Sequence, residues 1–171
     1  NDLARDAQPD GSDIYFTDIN NQPLSHEIES YNAGHVVAWV EVPSLSSSVD
    51  TTLYMCYGSP GAGPPENPSG VWDSNFMMVQ HLSETSGTHY DSTVNGNNGS
   101  PSGVVQNAAG KIDGADDFDG TNDYVTVADS NTLAGFTSAF TASCWVKMDN
   151  VTGRRTILNK YNTGTGTRAW Y

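Results

Sequence analysis

The sequence predicts an all-β protein made of two antiparallel β-sandwich, jelly-roll-like modules in tandem. Three observations carry this expectation. Apolar residues recur in short alternating runs of strand length, separated by clusters of Gly, Asn, Asp, Ser and Pro. No apolar pattern of helical period is sustained over three turns. A stretch dense in Pro and Gly, residues 58–70, divides a module over 1–57 from a module over 71–171.

The clearest strand is Val36 to Val42. There Val36, Ala38, Val40 and Val42 share one face, and Val37, Trp39 and Glu41 share the other. Thr52 to Tyr57 follows a Ser-rich loop, Ser46-Ser47-Ser48-Val49-Asp50, which is expected to join two antiparallel strands. From Gly58 to Pro68 the chain carries four Pro and three Gly. Pro removes backbone donors and Gly adds backbone entropy, so neither strand nor helix is expected there. Beyond it, Phe76 to Leu82 reads as a strand, and residues 83–103 as a long polar loop. Ala115 to Phe118 and Tyr124 to Val127 read as a pair joined by the turn Asp119-Gly120-Thr121-Asn122-Asp123. In Phe140 to Lys147, residues Phe140, Ala142, Cys144 and Val146 are expected to face a core. Arg155 to Asn159 and Thr167 to Tyr171 complete the expected strands, and the pattern suggests further strands beyond both ends.

The chain has 171 residues, 20 Asp plus Glu against 7 Lys plus Arg, and a net charge of −13. This balance disfavours nucleic acid and anionic membrane, whose phosphates are bound by releasing counterions from basic groups. Fifteen of the acidic residues are Asp, which suits turns and oxygen-rich calcium loops better than helices. No secretory leader and no apolar run of bilayer length is visible, so membrane insertion is not expected of this stretch. Cys56 and Cys144 are expected to be buried thiols, and no His–Cys spacing suggests zinc.

From Val71 onward the chain resembles the laminin-G-like, concanavalin-A-like jelly-roll family of microbial surface proteins. The residues that carry this are Val71-Trp72, His81-Leu82-Ser83-Glu84-Thr85-Ser86-Gly87, Tyr90-Asp91-Ser92 and Asn95-Gly96-Asn97-Asn98-Gly99. Phe118-Asp119-Gly120-Thr121-Asn122-Asp123-Tyr124-Val125 and Phe140-Thr141-Ala142-Ser143-Cys144-Trp145-Val146-Lys147 continue the match. The first module is similar to domain of unknown function 2341. That similarity rests on Asp13-Ile14-Tyr15-Phe16-Thr17-Asp18, His26-Glu27-Ile28-Glu29-Ser30-Tyr31, Val37-Ala38-Trp39-Val40-Glu41-Val42-Pro43 and Leu53-Tyr54-Met55-Cys56-Tyr57-Gly58. Together the resemblances imply a module of a large extracellular or cell-surface protein, used for carbohydrate binding, adhesion or surface assembly. They also imply two alternatives: a scaffold domain of an envelope proton-channel-coupled machine, or an accessory binding domain of a polysaccharide-degrading enzyme.

Asp117, Asp119, Asn122 and Asp123 crowd around a Gly turn, with Asp91 and Asn95 as further oxygen donors in the preceding loop. Two readings stand side by side: a calcium site at the rim of a sandwich, which the jelly-roll resemblance also implies, and a tight turn in which Asp and Asn bond their own backbone. Trp72, Tyr90 and Trp145 are the candidate sugar-stacking residues, with Trp170 and Trp39 behind them; packing in a core is the competing reading for each. Glu27 and Glu29 share a face if their segment is extended, and read as a solvated strand face. His26, His35, His81 and His89 are dispersed and read as surface or satisfied core residues. The paired-carboxylate spacing Glu-x-Asp-x-x-Glu, the Gly-x-Ser-x-Gly elbow and the phosphate loop are all absent, so the chain reads as non-enzymatic. The expected partners are glycans or surface proteins, with self-assembly through open edge strands as a further route.

Overall fold

The computed structural model describes residues 2–59, 61, 66–134, 136, 139–150, 152–153, 155–161 and 168–170, the side chains of 161 and 168–170 excepted. The chain divides into two compact units, Asn1–Phe140 and Thr141–Tyr171. It is mostly β, in several small antiparallel sheets, with two short helices among the described residues.

The first unit opens on helix α1 (Asp2–Asp6), which buries Leu3. Strand β1 (Tyr15–Asp18) lies between β2 (Pro23–Leu24) and β5 (Leu53–Cys56), so that Phe16 stands between Leu24 and Met55. Asp18 turns the chain from β1 to β2, its Oδ1 accepting Asn20 N–H and Gln22 N–H, both at 2.8 Å. Asp13 is buried, and its two oxygens accept Gln8 N–H at 2.8 Å and Gly58 N–H at 2.7 Å. The apolar core is small: Leu3, Ile14 and Leu24 are the buried hydrophobic residues among those described.

Strands β3 (His26–Asn32) and β4 (His35–Val40) form a hairpin. Its two turn residues, Ala33 and Gly34, have φ of 46° and 83°, as a tight turn matched to the right-handed twist of the strands requires. The exposure of β4 alternates as expected, with Val36, Ala38 and Val40 more covered than Val37 and Trp39. The pairing slips by one residue between Ile28 and Ser30, making Glu29 the extra residue of a β-bulge. The strand pairs differ from the hairpin expected across the Ser-rich loop, because β4 takes β3 and β5 takes β1.

Part of the Pro/Gly stretch is helical, contrary to expectation. Helix α2 (Pro68–Val71) begins on Pro68, whose missing N–H costs nothing at a helix start. A Cβ at Gly70 would push on the side chains of Asn67 and Ser25, which would have to move. Asn67 N–H bonds His26 O at 2.9 Å, and the Glu66 carboxylate accepts Ile28 N–H at 2.6 Å. This segment is thus fastened to β3, and residues on both sides of it belong to the same compact unit.

Further on, β6 (Gly99–Ser102) pairs with β9 (Tyr124–Val127), and β7 (Val105–Ala109) with β8 (Gly114–Asp117). The two strands expected to pair across the 119–123 turn therefore each take another partner. The turn at Gly110–Asp113, closed by Gly110 N–H to Asp113 O at 3.2 Å, makes β7 the neighbour of β8. Residues 76–82 form no strand. Side chains of the next loop capture their backbone instead: Val79 N–H goes to Asp91, and the Asn95 and Asn97 amides take Met77 O.

The second unit contains the pair β10 (Lys160–Tyr161) and β11 (Arg168–Trp170), where an end strand was expected. Residues 155–159 are not strand, and neither are 140–147. Phe140 at the end of the first unit and Cys144 and Val146 in the second are exposed rather than core-facing, since no described strand supplies a ladder to residues 140–147. Both cysteines are free thiols, and Cys144 is exposed rather than buried.

Asp13 gives a direct check on this fold. Asp13→Ala strands two inward-facing N–H groups, each worth about 1–3 kcal/mol when left unsatisfied. Urea denaturation should show a loss of roughly 2–4 kcal/mol; an unchanged midpoint would mean the Gln8–Asp13–Gly58 joint is not formed.

Candidate functional site

The site grows from β3. On a regular strand Glu27 and Glu29 share a face, and the bulge at Glu29 adjusts how the second carboxylate is aimed. Both side chains are largely removed from water, 10 % exposed for Glu27 and 7 % for Glu29. The solvated strand face expected of them is therefore wrong. A carboxylate leaves water only where polar partners replace its hydration, and the first unit supplies them from four places.

Trp39 on β4 donates its indole N–H to Glu29 Oε2 at 2.6 Å. Trp72, just past α2, donates its own to Glu27 Oε2 at 2.8 Å. Ser92 donates its hydroxyl to Glu27 Oε1 at 2.5 Å. Between the two glutamates sits His81, its Nε2 at 3.3 Å from Glu27 Oε1 and its Nδ1 at 3.3 Å from Glu29 Oε1. Burial works against a charged His81, but the bond and charge of Glu27, followed by those of Glu29, outweigh it and raise the imidazole above its ordinary value. Burial likewise pushes Glu27 up, and His81, Ser92 and Trp72 outweigh it, so that Glu27 lies below the usual carboxylate value.

The donors double as an aromatic surface. The rings of Trp39 and Trp72 meet at 5.2 Å between centroids, and Trp72 meets Phe76 edge-on at 5.0 Å. His81 lies nearly parallel to Trp39, 25° between planes at 6.3 Å. Trp39 is 38 % exposed and Phe76 45 %, with Trp72 half-buried between them. Since each indole N–H is held by a carboxylate, the rings cannot turn freely, and the surface is arranged before any ligand arrives. Glu29 also borders a cleft lined by Asp10, Tyr31, Glu66 and Asp113.

A second polar centre is internal. His89 is fully buried, with Nδ1 at 2.8 Å from Glu84 Oε2 and Nε2 at 2.9 Å from Asp116 Oδ2. Glu84 also accepts Tyr90 N–H at 2.7 Å. Burial raises Asp116, and the opposing pull of His89 does not cancel it. Burial raises Glu84 too, but Tyr90 N–H and then His89 outweigh it and lower it. With His89 and the Asp116 side chain sealed from solvent, this centre serves packing rather than ligand contact. Its prediction is asymmetric: Asp116→Asn should hold or raise the melting temperature at pH 7, whereas Glu84→Gln should lower it by several degrees. Equal losses would contradict that assignment.

The expected calcium donors fall into two bonded groups. Asp91 is saturated, accepting Val79 N–H and Thr93 N–H on Oδ1, and Thr93 Oγ1–H and Asn97 N–H on Oδ2. Asn95 joins it through Thr93 Oγ1, and its amide caps Phe76 O and Met77 O. In the other group Asp119 Oδ1 accepts Thr121 N–H at 2.7 Å and Asp123 Oδ2 accepts Asp119 N–H at 2.8 Å. Asp117 ends β8, and Asn122 is an exposed residue of the turn. These bonds are those of an Asx-closed turn. Among the described residues, no three or more His, Cys, Asp or Glu are grouped to hold a metal ion.

Of the aromatic candidates, Trp72 lies in the cluster, Tyr90 is exposed in the loop after His89, and Trp145 is exposed in the second unit. The Trp170 side chain lies outside the described residues. Sequence reasoning passed over Trp39, His81, Ser92 and Phe76 as one group. The available signal was local, an outward Trp on β4 opposite Glu27 in register, but the stretch between β4 and Trp72 carries no periodic mark that would bring Trp72 and His81 back to β3.

If Asp91 is a loop organiser, Asp91→Ala should cost roughly 2–4 kcal/mol of stability in calcium and in chelator alike. Loss confined to calcium-containing buffer would assign it to a metal instead.

The model of the domain of unknown function family DUF2341 aligns with residues 10–100, more than half of the chain. No curated protein and no solved structure matches. The aligned span crosses the Pro/Gly stretch and includes Glu27, Glu29, Trp39, Trp72, Phe76, His81 and Ser92, the whole aromatic–carboxylate cluster. The chain therefore belongs to the DUF2341 family.

Proposed function

We propose that this chain is a non-catalytic carbohydrate-binding module of a larger extracellular surface protein. The observation that carries the reading is the Trp39–Trp72–Phe76 surface, whose indoles are held edge-on by buried carboxylates. Sugar rings stack their C–H faces on aromatic rings, and a few polar groups beside the rings fix the hydroxyls. With a net charge of −13, neutral glycans are favoured over uronic or sulfated ones. Glu27 and Glu29 act as positioning groups, held by the indole and serine donors and by the His81 ring 3.3 Å from each.

The architectural part of the proposal is that the small sheets belong to two sandwich modules, the later one a laminin-G-like jelly roll. Leu53 and Met55, exposed on one face of β5, support it, because a sandwich covers such a face with a second sheet. Two-stranded sheets also leave edges open among the described residues, which suits assembly with surface proteins by strand addition. Calcium at Asp117, Asp119, Asn122 and Asp123 is an addition to this reading, not a condition of it. A melting temperature raised by millimolar calcium and flattened by Asp119→Ala would establish it, and no shift would remove it.

Titration calorimetry with cellohexaose and chitohexaose tests the reading. Binding by the wild type, weakened about tenfold or more by Trp39→Ala and by Trp72→Ala, is expected from the loss of one stacking ring of about 1–1.5 kcal/mol and its partner's alignment. Absence of binding to either sugar at millimolar concentration, or binding that survives both substitutions, would overturn it.

A further inference from the structure

We propose that His81 is a proton-operated latch that holds Trp39 and Trp72 in their ligand-ready arrangement. Its consequence, glycan binding that weakens above neutral pH, rests on the carbohydrate-binding reading; the latch itself does not.

Glu27 and Glu29 each spend Oε2 on an indole N–H and turn Oε1 toward His81. Ser92 adds one donor to Glu27, and Glu29 receives no such help from it. His81 lies at ion-pair distance, 3.3 Å, from an oxygen of each glutamate, so an imidazolium neutralises part of both charges and a neutral ring neutralises neither. Deprotonation therefore leaves two buried carboxylates with no cation between them. The relief is for one glutamate to swing toward water, and it carries its indole with it.

The charged groups that face His81 are Glu27 and Glu29, both from β3. From β4 it meets Trp39, and from beyond α2 it meets Trp72, both uncharged. The sign follows from the folded state favouring the protonated ring. Stability from the latch is complete below the ordinary imidazole value and is lost as pH rises through the raised one. On the acid side it persists until the pH falls through the lowered value of Glu27.

The test follows His81 by its ring-proton resonance and the indoles by fluorescence, from pH 5 to pH 9, in the wild type, His81→Gln and Glu29→Gln. In the wild type the two signals should share one midpoint, and cellohexaose or chitohexaose affinity should fall at least fivefold from pH 6 to pH 9. His81→Gln should remove the fluorescence transition and flatten the affinity profile. Glu29→Gln should lower the His81 midpoint, because one carboxylate remains to be neutralised, and this variant decides the matter should His81→Gln not fold. Fluorescence that does not follow His81, or a transition that persists in His81→Gln, would overturn the latch. Binding that is equal at every pH would sink the latch and leave the glycan reading standing. No binding at any pH, with the shared midpoint intact, would do the reverse.

Discussion

A carboxylate taken out of water costs several kcal/mol unless its neighbours replace its hydration. Glu27 is placed in that position by its strand, and its replacement donors are scattered along the chain: Trp72 after α2, His81 in the following segment and Ser92 in the 90–98 loop. Meeting this single requirement draws three separate stretches onto β3. It compensates for an apolar core that comprises three residues among those described. The folded form of the first unit is in this sense organised by polar satisfaction more than by oil-like burial, and half-satisfied networks of this kind are costly. That cost is the physical reason to expect sharp sensitivity to loss of any one donor.

The same requirement connects fold to function. Indole N–H groups serve as two of the donors, so satisfying the glutamates also orients the rings. The bulge at Glu29 brings the second carboxylate into this arrangement, with His81 between the pair. What results is an aromatic face that is partly open to solvent and fixed from beneath by charge. The internal Glu84–His89–Asp116 centre uses the same chemistry with no opening, and contrasts with it as pure scaffold.

Much of the local structure was legible in the sequence. The alternation in Val36 to Val40 marked β4 because strand side chains alternate by geometry alone. The 119–123 turn was legible because Asp bonds to nearby backbone need no distant partner. The Glu27–Glu29 pair was visible as one face, but its burial was not, since exposure depends on His81 and Trp72, more than 40 residues away. Residues 76–82 had strand composition and lost the strand to side-chain capture by Asp91, Asn95 and Asn97. Composition records propensity, and here the competing hydrogen bonds came from a loop whose fold the pattern could not specify.

The central claim is that Glu27 and His81 stabilise each other inside the first unit. A double-mutant cycle of Glu27→Gln and His81→Gln at pH 6, read by chemical denaturation, measures this most directly. The account predicts non-additive losses, with a coupling of about 1–3 kcal/mol. Additive losses, within about 0.3 kcal/mol, would show that the pair is not formed in solution and would contradict the account.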